Sequence, residues 1–320
     1  MIKQVIINNG FGEKLTINLP QIEPDHGLFV TGIEGLGPVK ADINTGQLAT
    51  SDGDIFNSAR ANHRDIKIHF RYLDCDGVSA EQARLNTYRF FPLKEQVSIY
   101  IRTENRYVKT EGYVESNDPD IFSATSGSTV TINCQSPWFN LVGVNRVDNW
   151  GFSNLSESFQ FKFTDEPTPS LIFSEFRARE PYTFYYPGEV KTGVVLSITG
   201  RDSLHQFFRN PTIYNLDTGE KLFIDTDKIE KMLNPNYDPN AGIYSIGPAD
   251  EIAISSIVGK KYARYIREDK TYNILSLLEL DVDWFTLRPG NNTFGYKCDP
   301  EDTQFDMKLV MKAPILMQGV

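Results

Sequence analysis

Apolar and polar residues alternate along much of this chain. Asp65-Ile66-Lys67-Ile68-His69-Phe70-Arg71-Tyr72 sets four apolar against four polar residues without an error, which places Ile66, Ile68, Phe70 and Tyr72 on one face. A half-buried strand is the element this pattern predicts. The same period returns at Val130, Ile132 and Cys134, at Phe159, Phe161 and Phe163, at Val194, Leu196 and Ile198, at Leu222 and Ile224, and at Phe305, Met307, Leu309 and Met311. Turn-forming residues punctuate the strands at Asn44-Thr45-Gly46, Asp52-Gly53, Asp76-Gly77, Asp217-Thr218-Gly219 and Pro289-Gly290-Asn291-Asn292. A single segment reads as a helix. Ser79 opens a capping box with Gln82, and Ala83, Tyr88 and Phe91 are expected on one face before Pro92 stops the helix. Short strands, frequent turns and one helix predict a mainly β, antiparallel architecture of sandwiches or barrels, not a βαβ sheet.

The alternation breaks near Ser136–Gly151, which divides the chain into pieces of roughly 140 and 180 residues, each an ordinary domain size. A second break, Asp165-Glu166-Pro167-Thr168-Pro169, is followed at once by strand-like sequence, so the boundary is set at the first. The biased stretch Asn234-Pro235-Asn236-Tyr237-Asp238-Pro239-Asn240 reads as a long loop.

Composition narrows the class. With 320 residues, 40% hydrophobic and 23% charged, the chain carries the apolar share of a folded protein and not of a disordered one. No stretch approaches the roughly 18 to 20 apolar residues of a membrane span, and the first residues lack a signal-peptide core, so a soluble, unexported chain is expected. The 42 acidic against 32 basic residues give a net charge of −10, which argues against a general nucleic-acid binder. Cys75, Cys134 and Cys298 are odd in number and far apart, so they read as free thiols in a reducing cytosol.

Candidate chemistry is sparse. Gly32-Ile33-Glu34-Gly35-Leu36-Gly37 has the wrong glycine order for a dinucleotide loop, and Pro38 stands where a helix would have to propagate. His26, His63, His69 and His205 form no metal-binding motif, and Asp74-Cys75-Asp76-Gly77 lacks the remaining ligands of a calcium loop and reads as a hairpin turn. The pairs Asp118 with Asp120 and Asp281 with Asp283 are what chance supplies among so many acids. No nucleophile elbow occurs, so neither catalytic residues, nor a metal, nor a cofactor is expected. Aromatics concentrate in Pro181-Tyr182-Thr183-Phe184-Tyr185-Tyr186-Pro187, where Tyr182, Tyr185 and Tyr186 are candidate contacts for a sugar or a protein partner.

Three blocks stand in order along the first part of the chain: Ile33-Glu34-Gly35-Leu36-Gly37-Pro38-Val39-Lys40-Ala41, Asp52-Gly53-Asp54-Ile55-Phe56-Asn57-Ser58-Ala59-Arg60, and Arg64-Asp65-Ile66-Lys67-Ile68. Together they make the sequence resemble the N-terminal region of phage distal tail (Dit) proteins. The resemblance continues through Ala83-Arg84-Leu85, Phe91-Pro92, Gly112-Tyr113-Val114-Glu115 and Ile132-Asn133-Cys134-Gln135-Ser136-Pro137-Trp138-Phe139. It then resumes at Asn210-Pro211-Thr212-Ile213-Tyr214-Asn215, Gly219-Glu220-Lys221-Leu222, Leu287-Arg288-Pro289-Gly290-Asn291-Asn292-Thr293-Phe294 and Gly319-Val320. It departs from the family pattern at Gly247-Pro248-Ala249-Asp250-Glu251-Ile252.

The resemblance implies a tail-tube-like, ring-forming β-sandwich or barrel with one helix over 1–140. It also implies a galectin-like (jelly-roll) β-sandwich over 141–320, with 305–320 either completing the sandwich or returning to the first domain. It further implies a structural, non-enzymatic hub at the virion tail tip or baseplate, made in the host bacterial cytoplasm. That hub would be a homohexamer joining the tail tube protein to a tail-associated hub or lysin protein, carrying receptor-binding proteins and passing DNA through its lumen. The acidic balance suits such a channel if it lines the wall. Gly35, Leu36, Gly37 and Gly53 then read as backbone turns, Pro137 and Trp138 as an anchor closing the first domain, and Pro289, Gly290 and Asn291 as a structural turn. Arg60 and Arg64 either hold carboxylates across an interface or stand solvated. The rival expectation is a carbohydrate-binding module protein recognising a host cell-wall glycan through the Tyr182–Tyr186 strand; a glycan hydrolase is a distant third.

Overall fold

The computed structural model describes residues 1–50, 52–75, 77–122, 126–142, 149–153, 155–156, 175–176, 181–200, 208–241, 246–247, 250–279, 282–299 and 307–320. The chain forms two compact units, one of Met1–Arg146 with Leu316–Val320 and the other of Val147–Ile315. The stretches holding Phe159, Phe161, Phe163 and Phe305, the 165–169 break, Asp76, His205 and Asp281 lie outside the described residues.

Unit 1 contains β1 (Ile2–Asn9), β2 (Lys14–Asn18), β3 (Leu28–Glu34), β4 (Ala41–Gln47), β5 (Asp54–Ala61), β6 (Arg64–Tyr72), α1 (Ala80–Phe90), β7 (Gln96–Thr103), β8 (Tyr107–Asp120), β9 (Gly127–Cys134) and β10 (Phe139–Leu141). One antiparallel sheet, nearly closed into a barrel, runs in the order β2-β1-β7-β8-β9-β6-β3. In β6 buried and accessible residues alternate from end to end, and the pairing of Ile66 with Ile132 and of Ile68 with Val130 fixes its register. Val5, Ile7, Ile99 and Ile101 add to the same core, where burial of each side chain contributes roughly 1.5–3 kcal/mol over leaving it exposed. β10 pairs with β8 on one side and with Leu316–Met317 on the other, so the chain returns to unit 1 after the second unit.

Helix α1 starts where the sequence places it. The Ser79 hydroxyl accepts from the Gln82 amide at 3.2 Å, and the Asp74 carboxylate takes the Ala80 amide at 2.7 Å. Its buried face is Ala83, Thr87 and Phe90, while Tyr88 is 42% exposed, which corrects the expected face. At about 100° per residue, Tyr88 lies about 140° around the helix from Ala83, whereas Thr87 lies only about 40° away. Asn44-Thr45-Gly46 is likewise not a turn. It belongs to β4, whose ladder with β5 bulges at Asn57, and the reversal falls later, where Gly53 adopts φ +88°.

Unit 2 stacks two kinds of strand array into a β-sandwich. A six-stranded sheet runs Asn149–Ser153, Met307–Lys312, Val195–Gly200, Glu251–Ser255, Tyr262–Arg267 and Lys270–Asn273; a four-stranded sheet runs Tyr182–Tyr186, Gly290–Asp299, Arg209–Asn215 and Lys221–Phe223. Leu196, Ile198, Ile252, Ile254, Leu309 and Met311 from the first and Phe184, Ile213, Leu222 and Phe294 from the second are buried. A second helix, α2 (Thr226–Leu233), was not legible: eight residues hold only two turns, and Asp225 caps them by accepting from the Lys228 amide at 3.1 Å. Beside it Arg267 bridges Glu230 at 2.5 Å and Asp250 at 3.2 Å, and Tyr265 donates to Asp250 at 3.0 Å. Each buried carboxylate of this network is thus matched by a donor.

Cys75, Cys134 and Cys298 are not joined in disulfides. Burial pushes the Cys134 thiol up to about 11, against the opposing pull of the nearby Arg64 charge. With a raised pKa, Cys134 stays protonated at pH 8. A chromogenic disulfide reagent applied to the native protein at that pH is expected to leave Cys134 unmodified until denaturant is added, while the partly exposed Cys75 reacts; native labelling of Cys134 would show that the barrel core opens readily.

Candidate functional site

The feature of unit 1 that the barrel does not account for is the ribbon of β4 and β5. It pairs only with itself among the described residues and stands off the nine-stranded sheet. Nearly every residue on it is exposed, including Ile43 at 65%, Ile55 at 50% and Phe56 at 63%, with Leu48 at 51% beyond the end of β4. Seven or eight residues per strand give a reach of about 25 Å. An isolated two-stranded ribbon is marginal in water, and apolar side chains spread along one are a surface made to be covered. Local contacts hold its base: Asn62 donates to Asp42 at 2.7 Å, and Thr45 donates to Asp54 at 3.0 Å nearer the tip. Arg60 stands exposed on the ribbon, 3.8 Å from Asp42.

The ribbon leaves unit 1 through two roots, residues 35–40 and 61–64, and Arg64 joins them. Its side chain is buried, yet no carboxylate receives it. Nε and Nη2 donate to the Pro137 carbonyl at 3.0 and 2.8 Å, Nη2 donates to the Gln318 carbonyl at 2.7 Å, and Nη1 donates to the Gly37 carbonyl at 2.6 Å and to the Gly35 carbonyl. All five N–H groups of the guanidinium are therefore used, and the Phe139 ring lies 4.2 Å from its central carbon. This corrects the expectation of an interfacial or solvated Arg64: it binds backbone within its own unit. Burial lowers its pKa from the ordinary value, but a guanidinium stays charged at any working pH.

The glycines of the root differ in role. Gly35 has φ +83°, and a β-carbon there would lie 2.0 Å from the Asp65 carbonyl oxygen, so the loop after β3 can press against β6 only with glycine. A β-carbon on Gly37 would meet nothing within 4 Å; that position serves through its carbonyl, which corrects the reading of Gly37 as a strained turn. Leu36 takes part through its carbonyl too, which accepts from the Val320 amide at 3.1 Å. Gly53 is the left-handed residue near the ribbon tip. At the other end of the network Trp138 is only half-buried while Phe139 is fully buried, so the anchor is Pro137 with Phe139 and not Trp138. Beside the roots an open cleft of about 460 Å³ is lined by Pro38, Val39, Lys40, Asn62 and His63 together with Gly35, Gly37, Arg64 and Asp65.

In unit 2 the aromatic strand gives no platform. Phe184 and Tyr186 are buried, with the Tyr186 hydroxyl donating to the Pro314 carbonyl at 3.1 Å, so Tyr186 is removed from the candidate contacts. Tyr182 and Tyr185 are exposed but three residues apart on a strand, hence on opposite faces. The turn at Pro289 and Gly290, where φ is +94°, is held by Asn292: its Nδ2 donates to the carbonyls of Arg288 and Gly290, and its Oδ1 accepts the Arg288 amide. Asn291 is exposed opposite Tyr185. Among the described residues, no cluster of three or more His, Cys, Asp and Glu is placed to hold a metal ion, and no helix is long and apolar enough to cross a membrane.

An almost closed antiparallel barrel with a projecting ribbon, followed by a β-sandwich and a short return strand, defines a two-unit, mainly β architecture. That architecture is also the fold of the Dit protein of phage SPP1, whose crystal structure is described as a paradigm of the hub adsorption apparatus of phages infecting Gram-positive bacteria. The two chains superpose with a TM-score of 0.58 over 97% of this chain and 98% of that one, at 11% sequence identity. Chains of the phage P2 baseplate in its activated conformation, with calcium and with strontium, align at TM-scores of 0.43 and 0.40, 10% identity and at least 96% coverage, too distant to bear on the argument. No protein-family model matches the sequence, and no curated protein does.

Arg64→Lys keeps the charge but offers three donors in place of five, which leaves root carbonyls unpaired. A loss of about 3 kcal/mol in the unfolding free energy of unit 1 is expected by denaturant titration, and more for Arg64→Met. Gly35→Ala is expected to cost at least as much as Arg64→Lys, whereas Gly37→Ala is expected to stay within about 1 kcal/mol of the parent.

Proposed function

We propose that this chain is a distal tail protein of a long-tailed phage or of a related tailocin, acting by assembly and not by catalysis. The observation that carries the reading is the SPP1 Dit fold spanning 97% of the chain. The ordered motif blocks, which run from Ile33 into the second unit, favour the same family. In this reading unit 1 forms a homohexameric ring at the tail tip, between the tail tube protein and the tail-associated hub protein. Unit 2 is the outward sandwich, to which receptor-binding proteins attach.

The ribbon supplies the physical reason to assemble. Its apolar residues and open strand edges are covered if each ribbon lies on the next protomer, and a head-to-tail contact repeated by rotation closes into a ring with no ribbon left over. DNA then passes through the ring without being held, provided that the acidic balance of the chain extends to the wall of the lumen, since a wall of like sign does not neutralise phosphate. Site residues follow this division: Arg64, Gly35, Gly37, Pro137 and Phe139 build the root of the ribbon, while Pro289, Gly290 and Asn292 shape the sandwich. A sugar-binding role draws no support from Tyr182 and Tyr185, which share no face.

Native mass spectrometry and negative-stain imaging test the ring. Six copies around an open centre are expected; a monomer at every concentration and with every neighbouring tail protein would contradict the proposal. Replacing residues 42–60 by a two-residue turn is expected to abolish the ring while leaving the melting of the sandwich unchanged. Duplex DNA at about 50 mM salt is expected not to be retarded by the assembled particle, whereas tight, salt-sensitive retention would indicate a basic lumen.

A further inference from the structure

We infer that the segment Leu316–Val320 and Arg64 form a clamp that sets the direction in which the ribbon leaves unit 1, so that the ribbon is presented for assembly only while that segment is docked. The inference rests on the reading of the ribbon as the assembly arm.

The ribbon cannot orient itself. Its two strands are exposed on both faces and pair with no other strand among the described residues, so its course is set at its roots. The first root is not paired into the sheet, because β3 ends at Glu34, and three of its backbone carbonyls are hydrogen-bonded to side-chain or backbone donors. Gly35 and Gly37 are taken by Nη1 of Arg64, the residue with which the second root re-enters the sheet as β6. Leu36, between them, is taken by the amide of Val320 at 3.1 Å. Three successive carbonyls of the root are thus satisfied by two donor groups, one from β6 and one from the returning segment.

The returning segment is placed with equal economy. Leu316 and Met317 pair with β10, the Gln318 carbonyl accepts from Nη2 of Arg64 at 2.7 Å, and the Gly319 carbonyl accepts from Arg106 at 3.0 Å. A β-carbon on Gly319 would lie 3.1 Å from the Leu36 oxygen, so the segment sits directly against the root. If it undocks, Nη2 loses one acceptor, Leu36 loses its donor, and the guanidinium that joins the two roots is opened to water on one side. A buried polar group left unmatched is costly, so the roots are expected to rearrange and not to wait in place. The consequence is a direct coupling between a strand that arrives from the second unit and the bearing of an arm whose root residue, Arg64, stands 254 positions before Gln318 in the chain.

Arg64 and Arg106 are positioning residues in this scheme, so the test reads the direction of the ribbon and not only stability. In full-length chains with Cys75→Ser, spin labels at Thr50→Cys at the tip of the ribbon and Lys14→Cys on the barrel report one intramolecular distance when labelled protein is mixed with an excess of unlabelled. The parent is expected to give one narrow distribution. Gly319→Val combined with Val320→Pro, which crowds the root and removes the amide that Leu36 needs, is expected to broaden that distribution and to abolish rings, while the sandwich melts as before. Arg106→Met, which leaves the root itself untouched, is expected to broaden it to a lesser degree and serves if the double variant misfolds. A narrow, parental distribution in both variants would overturn the clamp. If the parent makes no ring, the assembly reading fails by itself, and the distance measurement still decides whether the segment directs the ribbon.

Discussion

A buried guanidinium must find an acceptor for each of its five N–H groups, and in this protein that requirement organises one end of unit 1. Arg64 gathers four carbonyls from three separate places: Gly35 and Gly37 after β3, Pro137 before β10, and Gln318 from the returning segment. Each lies outside regular strand pairing, so each would otherwise be a backbone acceptor in need of a partner. One side chain thereby fixes three loops at once, with Phe139 beneath its flat face. A carboxylate partner would neutralise the charge but would hold only a single loop. The carbonyl arrangement spreads the interaction over the backbone, and it makes the site sensitive to donor number and not merely to charge.

From this constraint the rest of unit 1 follows in order. The roots are joined, so the ribbon between them is a single projecting element with a defined base. Gly35 allows the close approach over Asp65 that brings the carbonyls into reach. The ribbon itself carries no core and exposes Ile43, Ile55 and Phe56, a composition that makes little sense for a protein that works alone. The nearly closed barrel, by contrast, is saturated: its buried faces are filled by the regular alternation of β1, β6, β7 and β9. The proposed assembly role therefore rests on what the barrel leaves uncovered.

Much of this was legible in the sequence, for physical reasons that differ by element. The errorless alternation at 65–72 made β6 readable because one face of that strand is buried along its whole length. The capping residue Ser79 was readable because capping is local; the face of α1 was not, since Tyr88 and Ala83 are separated by a non-helical spacing. Arg64 was singled out with the wrong partner, because an arginine in sequence does not reveal whether acids or carbonyls await it. Three of its acceptors lie 27 to 73 residues away and the fourth lies 254 away, a separation that no local pattern encodes. Phe139 and Asn292 stand beside Trp138 and Asn291, residues of the same kind, and burial rather than residue type decides between such neighbours.

The central claim is that the ribbon exists to be covered by another copy of the chain. Hydrogen–deuterium exchange over residues 41–61, compared between assembled particles and protein diluted until it is monomeric, tests it most directly. Slow exchange along β4 and β5 is expected in the assembly and fast exchange in the monomer, with β6 and β9 unchanged between the two. Equal exchange of the ribbon in both states would contradict it.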